Sequence, residues 1–275
     1  MKRSRREVII TYLLLSITAF VMVVPFYYMV ETSFKGVVEA GEPNFSFYVK
    51  HPTLESYKNL LDDGLVFRAV WNSFQVAIAT TIGSLLFCTM AGYAFAKHSF
   101  PGKNGLFVLL LSTMMIPGSV LLVPSFLLMR DFGWLDTFLP LVIPSVAGAF
   151  GVFLSRQFIE KIPDSLIESA KMDGAGEFRV YFSLVLPLAR PLLATLGILT
   201  FLGSWNNLVG PLIMLVDEQK FTLPIAVSML QGRFPGQDNA QMAGAMISIV
   251  PLLVIFAFFQ RQIVNSLASS GLKES

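Results

Sequence analysis

"WNSFQVAIATTIGSLLFCTMAGYAFA", Trp71 to Ala96, runs its whole length without an Asp, Glu, Lys or Arg. A helix rising about 1.5 Å per residue needs about 20 such residues to cross a hydrocarbon layer of about 30 Å. The block is too uniformly apolar for the alternating strand of a membrane barrel, and lipid offers no partner to open backbone groups, so it must be a helix. Along it Thr80, Ser84, Cys88, Gly92 and Ala96 recur every four residues. Small side chains at that spacing let two helices approach closely, and Cys88 reads as a spacer rather than a reactive thiol.

Five further apolar blocks have comparable length: Val8 to Val30, Leu106 to Met129, Phe138 to Ser155, Leu188 to Leu215 and Met242 to Phe259. With 54% hydrophobic and 14% charged residues, the 275-residue chain is too apolar for one soluble core. The expected fold is an all-α membrane protein with six transmembrane helices, forming a single domain over residues 1–275. One cysteine excludes an internal disulfide and any multi-thiolate metal site. His51 and His98 stand apart from any ligand pattern and are expected in solvent or among headgroups, so neither a metal site nor a catalytic constellation is read.

The opening "MKRSRREVIITYLLLS" has an apolar run longer than a signal core, with no small-residue cleavage site after it, and reads as a retained first span. Lys2, Arg3, Arg5 and Arg6 then hold the amino terminus in the cytoplasm, because Lys and Arg resist translocation. Alternation places Lys97, His98, Lys103, Arg156, Lys161, Lys171, Arg179, Arg190, Arg261 and Lys273 inside. Glu31, Glu39, Glu42, Asp62, Asp63, Asp131, Asp136, Asp217 and Glu218 fall outside, together with a minority of basic residues such as Lys35 and Arg233. Both termini are expected on the cytoplasmic side of the membrane.

Proline interrupts the later blocks at Pro117, Pro124, Pro140, Pro144, Pro211 and Pro251. Each removes a backbone donor and is expected to bend its helix. In the long outer loop from Glu31 to Arg68, "PTLESYKNLL" predicts a short amphipathic helix capped by Thr53. Asn206 and Asn207 place two amides in the fifth block, either bonding between helices or lining a solute pathway.

One segment breaks the apolar pattern. "IPDSLIESAKMDGAGEF", Ile162 to Phe178, is polar and helix-forming within a loop of about residues 158–187. Ser165 and Glu168 have the spacing of a capping box, and Gly174 is placed to take the left-handed conformation that ends a helix. A second short helix is expected from Glu177, ending before Pro187. Leu166, Ile167, Ala170 and Met172 would offer an apolar surface beside charged Glu168, Lys171 and Asp173. Acidic groups interleave with basic ones, which fits a protein partner better than lipid headgroups.

The stretch "IESAKMDGAGEFRVYFSLVLPLARP" resembles the EAA loop of the membrane subunits of binding-protein-dependent ABC importers. Glu168, Ser169 and Ala170 stand on its three-residue run, Asp173, Gly174 and Ala175 on its turn, and Leu186 and Pro187 at its close. Beyond the loop, "VVPFYYMVETSFK", "STMMIPGSVLLVPSFLL", "WNNLVGPLIML" and "MAGAMISIVPLLVIFAFFQRQIV" resemble the carbohydrate-uptake branch, in the subunit type that works beside the larger maltose-type permease. The ending "SSGLKES" departs from that branch. The resemblance implies a type I importer permease fold and transport of a mono- or oligosaccharide. It also implies a second permease subunit in a heterodimer, two cytoplasmic ATPase subunits, an extracytoplasmic sugar-binding protein and the surrounding bilayer as partners, with no nucleic acid. The EAA loop would be the helix that couples to the ATPase.

The chain has no Gly-x-x-x-x-Gly-Lys-Ser/Thr loop to hold nucleotide phosphates, so ATP and Mg belong to a partner chain and this one is not itself an enzyme. An ion-gradient-driven secondary transporter fits less well, because the spans carry almost no ionisable residue. A non-transporting membrane scaffold would need only the docking loop.

Overall fold

The computed structural model describes residues 5–41 and 48–271. Lys2, Arg3, Glu42, Lys273 and the last residues of the tail lie outside the described residues. No strand occurs among those described. Arg5–Ser33, Leu65–Lys97, Leu139–Ile159 and Asp238–Ala257 are long and apolar enough to cross a membrane. Two bent pairs raise the number from four to six if each is one span: Lys103–Thr113 with Gly118–Asp131, at 90°, and Glu177–Leu188 with Arg190–Trp205, at 81°. The protein is an all-α membrane protein.

Proline sets several of these breaks, although not everywhere it occurs. Pro117 precedes a short 3-10 turn, Gly118–Leu121, at the 90° corner. Pro140 and Pro144 each open a short helical turn, the position where a missing N–H costs least. Pro251, by contrast, lies inside the unbroken helix Asp238–Gly271, as Pro25 does in Arg5–Ser33.

The described residues form two compact units, one within 5–67 and 226–251, the other within 68–225 and 252–271. In the first, Glu31 and Lys35 form a buried ion pair at 2.6 Å, and the Asn239 amide donates to the Lys35 carbonyl at 3.1 Å. The short helix Glu55–Asp63 is present, but its N-cap is Leu54. Thr53 serves one residue earlier, its hydroxyl accepting from the Glu55 amide at 3.1 Å.

The second unit is built on close backbone approach. A Cβ on Gly92 would lie 2.4 Å from the Ser155 Cβ and 2.8 Å from the Arg156 nitrogen, so only glycine fits there. A Cβ on Gly151 would lie 2.6 Å from the Cys88 sulfur. Cys88 is fully buried against Val152 and Leu196, the spacer role expected of it. The neighbouring core gathers Tyr93, Ile159, Ile162, Ile167, Val180, Tyr181, Val185 and Leu192 around the base of the polar loop.

Candidate functional site

The polar loop folds as a helix, Asp164–Met172, followed by a tight turn. Pro163 is its N-cap, in extended conformation and with no side-chain cap. The expected capping box is therefore not formed. Pro163 shifts the start one residue ahead of Ser165, leaving Ser165 within the first turn, where its carbonyl accepts from the Ser169 hydroxyl at 2.8 Å.

The other end follows the sequence reading. Gly174 takes φ +81°, its amide bonds the Lys171 carbonyl and the Ala175 amide bonds the Ala170 carbonyl, both at 3.0 Å. These two bonds are those of a Schellman motif. Open space surrounds the Gly174 position, so the backbone angle alone demands glycine.

Lys97, the last residue of Leu65–Lys97, seats this helix. Its ammonium donates to the carbonyls of Glu160 and Ile162 and pairs with Asp164 at 2.7 Å. A cation thus sits just beyond one helix end and an anion at the start of the next, both favourable to the helix dipoles. Ile167 is buried in the core below, and Ala170 and Ala175 pack against it. Glu168, Ser169 and Asp173 remain exposed. So do three apolar side chains, Leu166, Met172 at 88% and Phe178 at 69%.

Past the turn, Glu177 pairs with Lys171 and accepts from the Tyr93 hydroxyl at 3.2 Å. It also lies 3.5 Å from the His98 imidazole, which stacks edge-on against Tyr93. His98 is therefore not isolated. The fold brings it a carboxylate from far along the chain, a contact that no local spacing reveals. The second helix does not stop before Pro187. Tyr181–Val185 widens into a π turn in which the Leu186 amide bonds the Tyr181 carbonyl, and this wider turn gives the proline ring room. The helix continues to Leu188, with Leu186 against the core and Pro187 exposed, and the 81° corner follows at Ala189.

The two asparagines end a helix rather than bridge between helices. Asn206 is the C-cap of Arg190–Trp205 and donates to its Leu202 carbonyl at 3.0 Å. The Asn207 oxygen accepts from the Gly210 amide at 3.2 Å. Asn207 also lines a cavity of about 220 Å³, whose other polar walls include Ser73, Thr80, Ser145, Ser204 and Thr222. The sequence marked Thr80 only as a small packing residue. The other hydroxyls come from four separate stretches that only the fold brings together.

Residues 88–269 match the family model of the "binding-protein-dependent transport system inner membrane component". The chain belongs to this family. It is 33% identical over 258 residues to the arabinooligosaccharide permease protein AraQ of Halalkalibacterium halodurans, covering 93% of this chain and 92% of that one. The lactose permease protein LacG of Rhizobium radiobacter is 31% identical, covering 98% of this chain and 97% of LacG. The sn-glycerol-3-phosphate permease protein UgpE of Brucella abortus is 28% identical over 95% of this chain and 96% of its own. In fold, the permease superposes on a chain of a bacterial ABC transporter that imports alginate with a TM-score of 0.85 at 24% identity, covering 95% and 99% of the two chains. As an inner-membrane component of an ABC importer, the chain is a multi-pass transport subunit and not an enzyme.

Proposed function

We propose that this permease carries a saccharide across the inner membrane and takes its drive from a separate ATPase that grips the Asp164–Met172 helix. One observation carries the reading. A helix seated from below by Ile167 and Lys97 presents Leu166 and Met172 outward among charged neighbours, and Phe178 stands exposed on the short helix just past the turn. Apolar side chains displayed on a rigid polar loop suit a protein cleft, since Met and Phe are enriched at interface cores and a few buried anchors carry most of an interface's free energy. In this proposal Glu168, Ser169, Ala170, Asp173, Gly174 and Ala175 form the coupling surface, and Leu186 and Pro187 pass its movement into the bent span. The chain acts as one membrane domain with both termini cytoplasmic. It pairs with a second, different permease, two ATPase subunits that bind ATP and Mg, and an external sugar-binding protein. Asn206 and Asn207 stand at the solute pathway, Asn207 on the cavity wall itself.

Saccharide as the solute class rests on the relatives named for arabinooligosaccharide and lactose transport. The test is reconstitution of the complete complex in vesicles, with ATP hydrolysis measured with and without sugar-loaded binding protein. Stimulation by the loaded receptor is expected. An ion-driven carrier or a scaffold would give none.

A further inference from the structure

The cavity beside Asn207 is walled by the helices Leu65–Lys97 and Arg190–Trp205 and by residues near Ser145, Pro211 and Thr222. Its lining contains no Asp, Glu, Lys, Arg or His. Polarity is supplied wholly by hydroxyls and one amide.

Two of those hydroxyls are anomalous. Thr80 is 2% exposed and Thr222 3%, and neither Oγ1 has a hydrogen-bond partner. A buried hydroxyl without a partner costs on the order of 1–3 kcal/mol. Threonines inside helices commonly avoid this by bonding the carbonyl a turn back, as Thr195 does to Pro191 and Thr89 to Leu85. Thr80 makes no such bond. Five other residues among those described carry a buried polar side-chain atom with neither a hydrogen bond nor an ion pair, and none of them lines this cavity.

Unsatisfied hydroxyls on residues that wall an uncharged space call for a ligand that both donates and accepts. We propose that this cavity is a transient subsite for one neutral sugar ring, held by hydrogen bonds to Thr80, Thr222 and Asn207. The inference rests on the saccharide reading above and narrows it to uncharged rings, since no lining cation is present to balance a phosphate or a uronate. At about 220 Å³ the space is smaller than the roughly 300–1,000 Å³ of ordinary small-molecule pockets, which matches one ring and not an oligomer. In the orientation proposed above, Ser73 and Thr80 lie early in a helix entering from outside and Ser204 late in one returning there. The subsite would meet the solute soon after delivery.

The test uses the complete complex with its receptor, in vesicles, with lactose, arabinotriose and glycerol 3-phosphate as probes. The double variant Thr80→Val/Thr222→Val keeps side-chain shape and removes both hydroxyls. Loss of two hydrogen bonds to solute should lower uptake of a neutral sugar about tenfold. The thermal midpoint of the purified complex should hold or rise, because an unpaired buried hydroxyl stabilises nothing. Unaltered neutral-sugar uptake in the variant, with wild-type uptake intact, overturns the subsite and leaves the permease reading standing. So does a falling midpoint, which would assign the hydroxyls to structure, or uptake of glycerol 3-phosphate alone. Failure of the wild type to import any probe under ATP counts against the saccharide reading itself.

Discussion

Single residues in this permease are held by different physics. At Gly92 it is space, because a Cβ would meet the backbone of the adjoining helix at 2.8 Å. Gly92→Val should lower stability by about 1–3 kcal/mol, read as a fall in thermal midpoint, whereas Gly197→Ala, whose nearest contact is 3.7 Å, should leave the midpoint level or raised. At Gly174 it is angle alone. Gly174→Val should leave membrane insertion intact yet reduce ATPase retention and uptake, since a β-branched side chain at φ +81° costs upwards of about 1 kcal/mol and reshapes the turn. Asp136 shows a third case. Its carboxylate accepts from the Lys220 ammonium at 2.6 Å and from the Asp217 and Val216 amides at 3.0 Å, which together hold its pKa down to about 2 from an ordinary 3.8. A carboxyl depressed by folding adds stability that is complete above its unfolded pKa and lost as pH falls toward the folded one. The wild-type midpoint should therefore drop between about pH 4 and 2, and Asp136→Asn should flatten that slope while still tolerating the φ of +57° at this position.

At the scale of elements, the loop helix is only as useful as its seat. Lys97→Met removes the ammonium that joins two carbonyls and Asp164 but keeps the length of the side chain. The expected outcome is loosened coupling, seen as a higher ratio of ATP hydrolysed to sugar imported, with expression unchanged. Lys97 itself was visible in the sequence only as an inner-side charge. Its role depends on Glu160, Ile162 and Asp164, more than 60 residues away. Local features carry their own meaning: apolar length sets the helices, four-residue spacing sets the packing seam through Cys88 and Gly92, and Gly174 sets the turn. The cap at Ser165 failed because Pro163 can itself begin a helix, so two valid start signals competed within three residues. The stop before Pro187 failed because a π turn accommodates proline in a way that residue type does not announce. The cavity was hidden for another reason, as its hydroxyls meet only in three dimensions and each alone resembles an ordinary small residue of a membrane helix.

For the molecule as a whole, the composition and the fold agree on the solvent. Among the described residues, the helix Arg5–Ser33 exposes Ile9, Leu13, Leu14, Phe20 and Val23 by more than half, a surface that water would penalise and lipid accepts. In the proposed reading the drive comes from a separate ATPase, and the seated polar helix is where that subunit would take hold. The most direct measurement is cross-linking at Met172, replaced by cysteine in the complete complex within sealed inverted membrane vesicles. A thiol-reactive photo-cross-linker should join this position to the ATPase subunit, and a membrane-impermeant thiol reagent added to inverted vesicles should block it. Labelling only from the opposite face, or cross-links that never include the ATPase, would contradict the coupling role.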